Sequence, residues 1–318
     1  MLTTLFWGSV LQAYGPLVVM MFAVLAFHPT LAVLAMASAF VSLVPIQMTS
    51  FVYMLVIASH GGASVSAFDS NAANAADSGR GWIVVCGVIF QELTRLALAY
   101  GVVRAEWFFR THHQVLFASR FRLLPVGAAC GFGMAATLSL LQFGALLQAI
   151  EALGDPGVSV VNDQAVLWER GTCPQLPFVF FQALSWCFMS VCHVSWSAVM
   201  TTSVAALVDN GTLGPSTAPV ENTSPIPPRF RAPIPRPTTL RPTDGRIAIF
   251  MVIVLHFIAS TVSLVNSDAF DITTAEAVAG RGCITTLPVQ ATVMIASIAL
   301  AWAAARLDVC KRVDSQDL

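Results

Sequence analysis

Gly127-Ala-Ala-Cys-Gly131-Phe-Gly-Met-Ala135 lies inside an uncharged apolar run from Leu123 to Ile150. Bilayer hydrocarbon is roughly 30 Å thick and takes about 20 residues of helix to cross, so this run is long enough to span it. On a helix, residues four apart share a face, and Gly127, Gly131 and Ala135 form a stripe almost free of side chains. Lipid gives helices little hydrophobic reason to meet; a smooth stripe instead lets two backbones approach until dispersion holds them. The stretch therefore reads as a membrane helix crowded by its neighbours. Because glycine is common in membrane helices, two readings stand, a specific helix contact or an ordinary packing position.

The rest of the chain has the same character. Its 318 residues are 56% hydrophobic and 10% charged, with a mean hydropathy of +0.74, whereas soluble domains carry about a quarter charged residues. Apolar runs long enough to cross occur seven times, at Leu2 to Phe27, Thr30 to Ala58, Trp82 to Val103, Leu123 to Ile150, Leu176 to Leu207, Ile247 to Val265 and Ile284 to Ala305. Hydrocarbon offers the backbone no water, so isolated spans must be helices. The expected fold is all-α, a polytopic membrane protein built as a single seven-transmembrane-helix bundle over residues 1–318. The first run has no lysine or arginine ahead of it and exceeds a signal-peptide core, which predicts a retained span. Gly15-Pro16, Pro45 and Pro288 lie inside runs, where each proline removes a helix hydrogen bond and is expected to kink its span.

Charge orients the bundle. With seven spans, one side receives Arg104, Arg110, Arg120, Arg122, Arg229, Arg231, Arg236, Arg241, Arg246, Arg306, Lys311 and Arg312, and the other only Arg80, Arg170 and Arg281. The positive-inside rule then places the C-terminus in the cytosol and the N-terminus on the lumenal or extracellular side. The outer connection from Ser59 to Arg80 is a flexible polar stretch of Gly, Ser, Ala, Asn and Asp, with no sign of a folded domain. The cytosolic connection from Asn210 to Arg246 contains nine prolines among arginines and reads as an extended, disordered insertion. A polyproline ligand and an anionic-lipid contact are the functional alternatives there, against a solvated linker.

Ionisable groups inside spans cost a few kcal/mol in hydrocarbon and therefore face protein or water. In the third span, Glu92 and Arg95 are three apart and can pair on one helix face. His193 in the fifth span and His256 in the sixth sit deep among apolar neighbours. The pair can be a structural lock and each histidine an internally hydrogen-bonded group, or the same contacts can serve an interaction site. Cys86, Cys130, Cys187 and Cys192 lie within spans as small packing residues. Cys173 and Cys283 fall at the outer ends of helices, in an oxidising compartment, and are a candidate disulfide if their Cα atoms approach within about 7 Å.

These residues, in this order, resemble a known family. Phe6-Trp7-Gly8, Tyr14-Gly15-Pro16, Gln91-Glu92-x-x-Arg95, Gly127-x-x-x-Gly131-x-x-x-Ala135, Leu153-Gly154-Asp155-Pro156-Gly157, His193-Val-Ser-Trp196 and His256, ten residues before Asn266, are similar to the anterior pharynx-defective (Aph) subunit of gamma-secretase. The resemblance runs over nearly all seven spans. It implies a non-catalytic scaffold that assembles with nicastrin-like, presenilin-like and presenilin-enhancer-like subunits, supports the intramembrane endopeptidase, and so serves Notch-type processing. It implies residence in the endoplasmic reticulum and Golgi and in the plasma membrane or endosomes. By the same resemblance Gly127, Gly131 and Ala135, with His193 and His256, are expected to support assembly and partner contact. The chain departs from the family in the alanine at the third stripe position, in a longer fourth helix and in a far longer proline-rich connection.

Other classes fit the residues less well. A protease of its own would need paired carboxylates or a nucleophile at membrane depth, yet no span contains an aspartate and Glu92 stands beside an arginine. Neither HExxH nor GxSxG occurs. Two histidines without further Cys/His spacing do not make a zinc site, and no metal, cofactor or nucleic acid is expected. A seven-helix receptor or transporter is the rival, although the single lysine, Lys311, lies in the tail and excludes a retinal Schiff base within a span.

Overall fold

The computed structural model describes residues 2–59, 70–113, 123–152, 160–161, 164–165, 178–209, 241–267 and 282–314. Among the described residues, eight α-helices supply seven stretches long and apolar enough to cross a membrane. The helices are α1 (Leu2–Met20), α2 (Pro29–Val41), α3 (Leu43–Ser59), α4 (Ser70–His113), α5 (Leu123–Ala152), α6 (Phe178–Asp209), α7 (Pro242–Ser267) and α8 (Gly282–Asp314). All seven apolar runs are helical and long enough to span, with α2 and α3 sharing one span from Pro29 to Leu55. Between α5 and α6, Val160–Val161 and Gln164–Ala165 form a two-residue antiparallel pair, Val160 opposite Ala165.

The helix breaks follow local chemistry. Pro45 has no N–H for the carbonyl of Val41, four residues back, and α2 ends at Val41. Ser42 bridges the interruption, its N–H bonding Ser38 O at 2.9 Å and its hydroxyl bonding Ala39 O at 2.7 Å. Pro16 and Pro288, by contrast, stay within continuous helices. After α1 the chain makes one π-helical turn, Met21–Leu25, in which Ala26 N bonds Met21 O at 2.8 Å. The polar connection before the third span is partly helical, because α4 already begins at Ser70. Its segment Asn71-Ala-Ala-Asn-Ala-Ala-Asp contains four alanines, the strongest helix formers.

The helix α6 is the hub. Of its spanning window 78% is buried inside the bundle, against 61% for α5 and at most 28% for any other span. It packs against α1, α4, α5, α7 and α8, and α5 in turn lies between α6 and α2. Bulky side chains on the outer helices, such as Trp7, Leu11, Phe22, Phe40, Phe250 and Ile295, are exposed outward, where lipid would cover them. Outside the described residues lie Cys173, the side chain of Cys283, the Leu153–Gly157 motif, residues 60–69 of the outer connection, and residues 210–240 of the proline-rich connection.

Candidate functional site

Two features meet on α6, a backbone seam and a polar cluster. The seam begins with the small-residue stripe of α5. A Cβ built on Gly127 would stand 2.7 Å from Ser197 O and 2.8 Å from Ala198 Cα. One built on Gly131 would stand 2.6 Å from Val194 Cα and 2.7 Å from His193 O. Both contacts are with backbone, which cannot swing aside, so only glycine fits while the helices stay this close. Ala135 is 1% exposed on the same face, and a turn further on Ser139 and Ser190 hydroxyls meet at 2.9 Å. The stripe thus faces another helix of the same chain.

Residues two apart on a helix point about 200° from each other, so Gly133 looks the opposite way from Gly131. A Cβ there would collide with Ala35 O and Ser38 Oγ on α2, and nearby Thr137 Oγ1 donates to Ala39 O at 3.2 Å. Helix α5 is therefore side-chain-free on two faces, and Gly133 is a packing position that the four-residue stripe alone did not single out.

The polar cluster joins α4, α6 and α7. From α4, the guanidinium of Arg95 pairs with Glu92 Oε1 through Nη1. From α7, His256 Nδ1 meets the same carboxylate oxygen. From α6, His193 Nδ1 lies 2.7 Å from Arg95 Nη2. A guanidinium only donates and a carboxylate only accepts, so His193 Nδ1 is an acceptor and His256 Nδ1 a donor. The two histidines play opposite parts. All four side chains are buried, at 1–5% exposure. The helix spacing of Glu92 and Arg95 makes their pairing local, whereas both histidine contacts require the tertiary fold.

Trp196 caps the cluster. Its ring lies 5.4 Å from Arg95 Cζ and 4.7 Å from the His256 ring, tilted 34°, with His193 edge-on at 5.4 Å. Its Nε1–H donates to Ser297 Oγ on α8 at 2.8 Å. Also between α6 and α8, Ser185 Oγ donates to Gln290 Oε1 at 2.9 Å. No motif singles out Ser297 or Gln290 in the sequence; the one signal that could have found them is a polar side chain inside a span. Helix α1 is tied in by Tyr14 OH, which donates to Ser139 O at 3.3 Å, and by Gln12 Nε2 against Cys187 Sγ at 3.6 Å.

Glu92 is the one carboxylate of the cluster, and an arginine neutralises it. Among the described residues no group of three or more His, Cys, Asp or Glu side chains is placed to hold a metal. Cys86, Cys130, Cys187 and Cys192 are free thiols, with Cys130 and Cys192 buried. Fold and cluster together define a polytopic seven-helix membrane protein whose interior is locked by one buried charge pair and its two imidazoles.

A family model described as Aph-1 protein matches residues 4–211. The chain belongs to the Aph-1 family, and that membership implies a subunit of gamma-secretase. The matched stretch runs from residue 4, inside α1, past the end of α6, with Glu92, Arg95, His193 and the glycine stripe; His256 lies beyond it. No curated protein matches the chain.

Proposed function

We propose that the protein is a non-catalytic scaffold of a gamma-secretase-like intramembrane aspartyl protease complex, holding a presenilin-like catalytic subunit together with nicastrin-like and presenilin-enhancer-like subunits. The carrying observation is the cluster itself. Glu92 is occupied by Arg95 and His256 and, among the described residues, has no second carboxylate beside it, whereas an aspartyl protease needs two sharing a proton. What the cluster does well is fix α4, α6 and α7 against one another, which suits a part that presents rigid helix faces to partners.

In this reading Gly127, Gly131 and Ala135 support assembly indirectly, by setting how closely α5 lies against α6, and His193 and His256 do so by holding α6 and α7 in register. The N-terminus is lumenal or extracellular and the C-terminus cytosolic, in line with the arginine distribution. Aromatic side chains near both membrane boundaries are consistent with that frame: Trp7, Tyr53 and Trp82 are exposed near one, and Trp302, against Arg306 at 3.9 Å, near the other. The complex would occupy endoplasmic reticulum, Golgi, plasma membrane and endosomes and process membrane proteins of the Notch type.

Purification of the tagged full-length chain from its own membranes in mild detergent, followed by identification of what co-purifies, tests the proposal. A presenilin-like and a nicastrin-like protein in stable association are expected. Recovery of the chain alone, or with a cytosolic signalling effector in their place, would move the assignment to a seven-helix receptor or transporter.

A further inference from the structure

The second span is divided near its middle, and its two halves are held in different ways. The half formed by α2 is fixed to α5. Leu31 and Ala35 are buried against Val126 and Ala129, and a Cβ on Gly133 of α5 would collide with Ala35 O and Ser38 Oγ. Thr137 Oγ1 adds a hydrogen bond to Ala39 O at 3.2 Å, in the last turn of α2. Where backbone meets backbone no side chain can swing aside, so α2 has one position on α5.

The half formed by α3 has no such attachment. From Leu43 to Leu55 only Pro45 is buried, and Val44, Met48, Phe51, Met54 and Leu55 are exposed. Its inner side, with Ile46, Thr49 and Tyr53, borders open space. It packs chiefly on α4, where Thr49 Oγ1 would lie 3.5 Å from a Cβ on Gly87, an ordinary van der Waals distance. The hydroxyls of Thr49 and Ser50 are spent within α3, on Pro45 O at 2.7 Å and Ile46 O at 2.9 Å. Among the described residues no side-chain hydrogen bond joins α3 to another helix.

Where the halves join, the helical ladder is interrupted. Pro45 offers no N–H to Val41 O, and Ser42 spans the gap by donating its N–H to Ser38 O and its hydroxyl to Ala39 O. Both acceptors belong to the anchored half. A hinge consists of a few element-terminal residues that take up a change of backbone angles between one body that is held and another that is not. Residues 42–45 meet that description. We propose that α3 is a hinged half-span, pivoting about Ser42–Pro45 and sliding along α4, so that the bundle is rigid in the leaflet where α2 lies and adjustable in the leaflet where α3 lies. The continuous helix α4 carries Glu92 and Arg95 through the membrane, so a swing of α3 leaves the polar cluster in place and changes the width of the gap between α3 and α7. Neither the hinge nor its consequence depends on the scaffold assignment.

The test uses the full chain in lipid nanodiscs, with nitroxides attached through unnatural amino acids so that the native cysteines stay unlabelled. One label pair joins position 54 on α3 to position 295 on α8, and the other joins position 36 on α2 to the same reference. Met36 and Met54 are both 63% exposed, which matches the freedom of the labels themselves. In pulsed electron paramagnetic resonance the distance distribution from position 54 should be at least about twice as wide as that from position 36, because a segment with few buried contacts samples more positions. Equal widths would overturn the hinge. Pro45→Ala restores the missing donor and should narrow the distribution from position 54 while leaving that from position 36 unchanged. A distribution from position 54 as wide as before would place the motion elsewhere and overturn the assignment to residues 42–45. The first comparison leaves residues 42–45 unaltered, so it decides for or against the hinge even if Pro45→Ala fails to fold.

Discussion

Gly131 on α5 stands against the backbone of His193 on α6, so close that a methyl group added to the glycine would lie 2.7 Å from the histidine carbonyl oxygen. The small-residue stripe and the polar cluster are consequently one mechanical unit: the height of His193 over Arg95 depends on how near α5 lets α6 come.

Enlarging Gly131 should therefore damage both features. Gly131→Ala forces the two backbones apart and is expected to cost about 1–3 kcal/mol through overpacking, and Gly131→Leu more, with loss of co-purifying subunits. Thermal unfolding in detergent, followed by fluorescence-detected size exclusion, measures the first, and pull-down of the complex the second. Normal stability and normal partner recovery for Gly131→Leu would show that the seam is loosely packed.

The two histidines should respond differently to the same replacement. His256 donates to a carboxylate, so His256→Lys keeps a donor and a favourable charge, and should retain more folded protein than His256→Ala. His193 accepts from a guanidinium, so His193→Lys places a second cation beside Arg95 and should be worse than His193→Ala, by a penalty of the order of 3–5 kcal/mol for an uncompensated buried charge. Complex yield and melting temperature of the four variants decide the matter; the same ranking at both positions would refute the donor and acceptor assignment.

Glu92 and Arg95 should be strongly coupled. Glu92→Leu leaves a buried guanidinium and Arg95→Met leaves a buried carboxylate, each costing about 3–5 kcal/mol. The double variant leaves neither, and should be more stable than the sum of the single losses by about 1–3 kcal/mol. Strict additivity in thermal or chemical unfolding would mean that the two charges do not compensate one another.

The orientation has its own test. Asn210-Gly-Thr212 and Asn222-Thr-Ser224 both fit the glycosylation acceptor pattern, and the arginine distribution assigns their connection to the cytosol. Expressed in a glycosylating eukaryotic membrane system, the protein should show no mobility shift on endoglycosidase treatment. A shift abolished by Asn210→Gln or Asn222→Gln would place the connection in the lumen and reverse the orientation.

The seven spans can be read from the amino-acid order alone, because length and apolarity are properties of a segment and lipid leaves a segment only the helix. That order also marked Glu92, Arg95, His193 and His256, because an ionisable group in hydrocarbon stands out without any knowledge of its neighbours. It made the Gly127, Gly131 and Ala135 stripe visible by spacing, and the break near Pro45 by the missing donor. Which faces meet is settled by packing alone. The spans are apolar around most of their circumference, so no periodicity distinguishes lipid from protein. That the stripe meets α6 of its own chain, that Gly133 meets α2, and that Glu92 finds His256 across 164 positions of sequence are outcomes of helix packing, set by close backbone contact and mutual hydrogen bonding and by no pattern within a single helix.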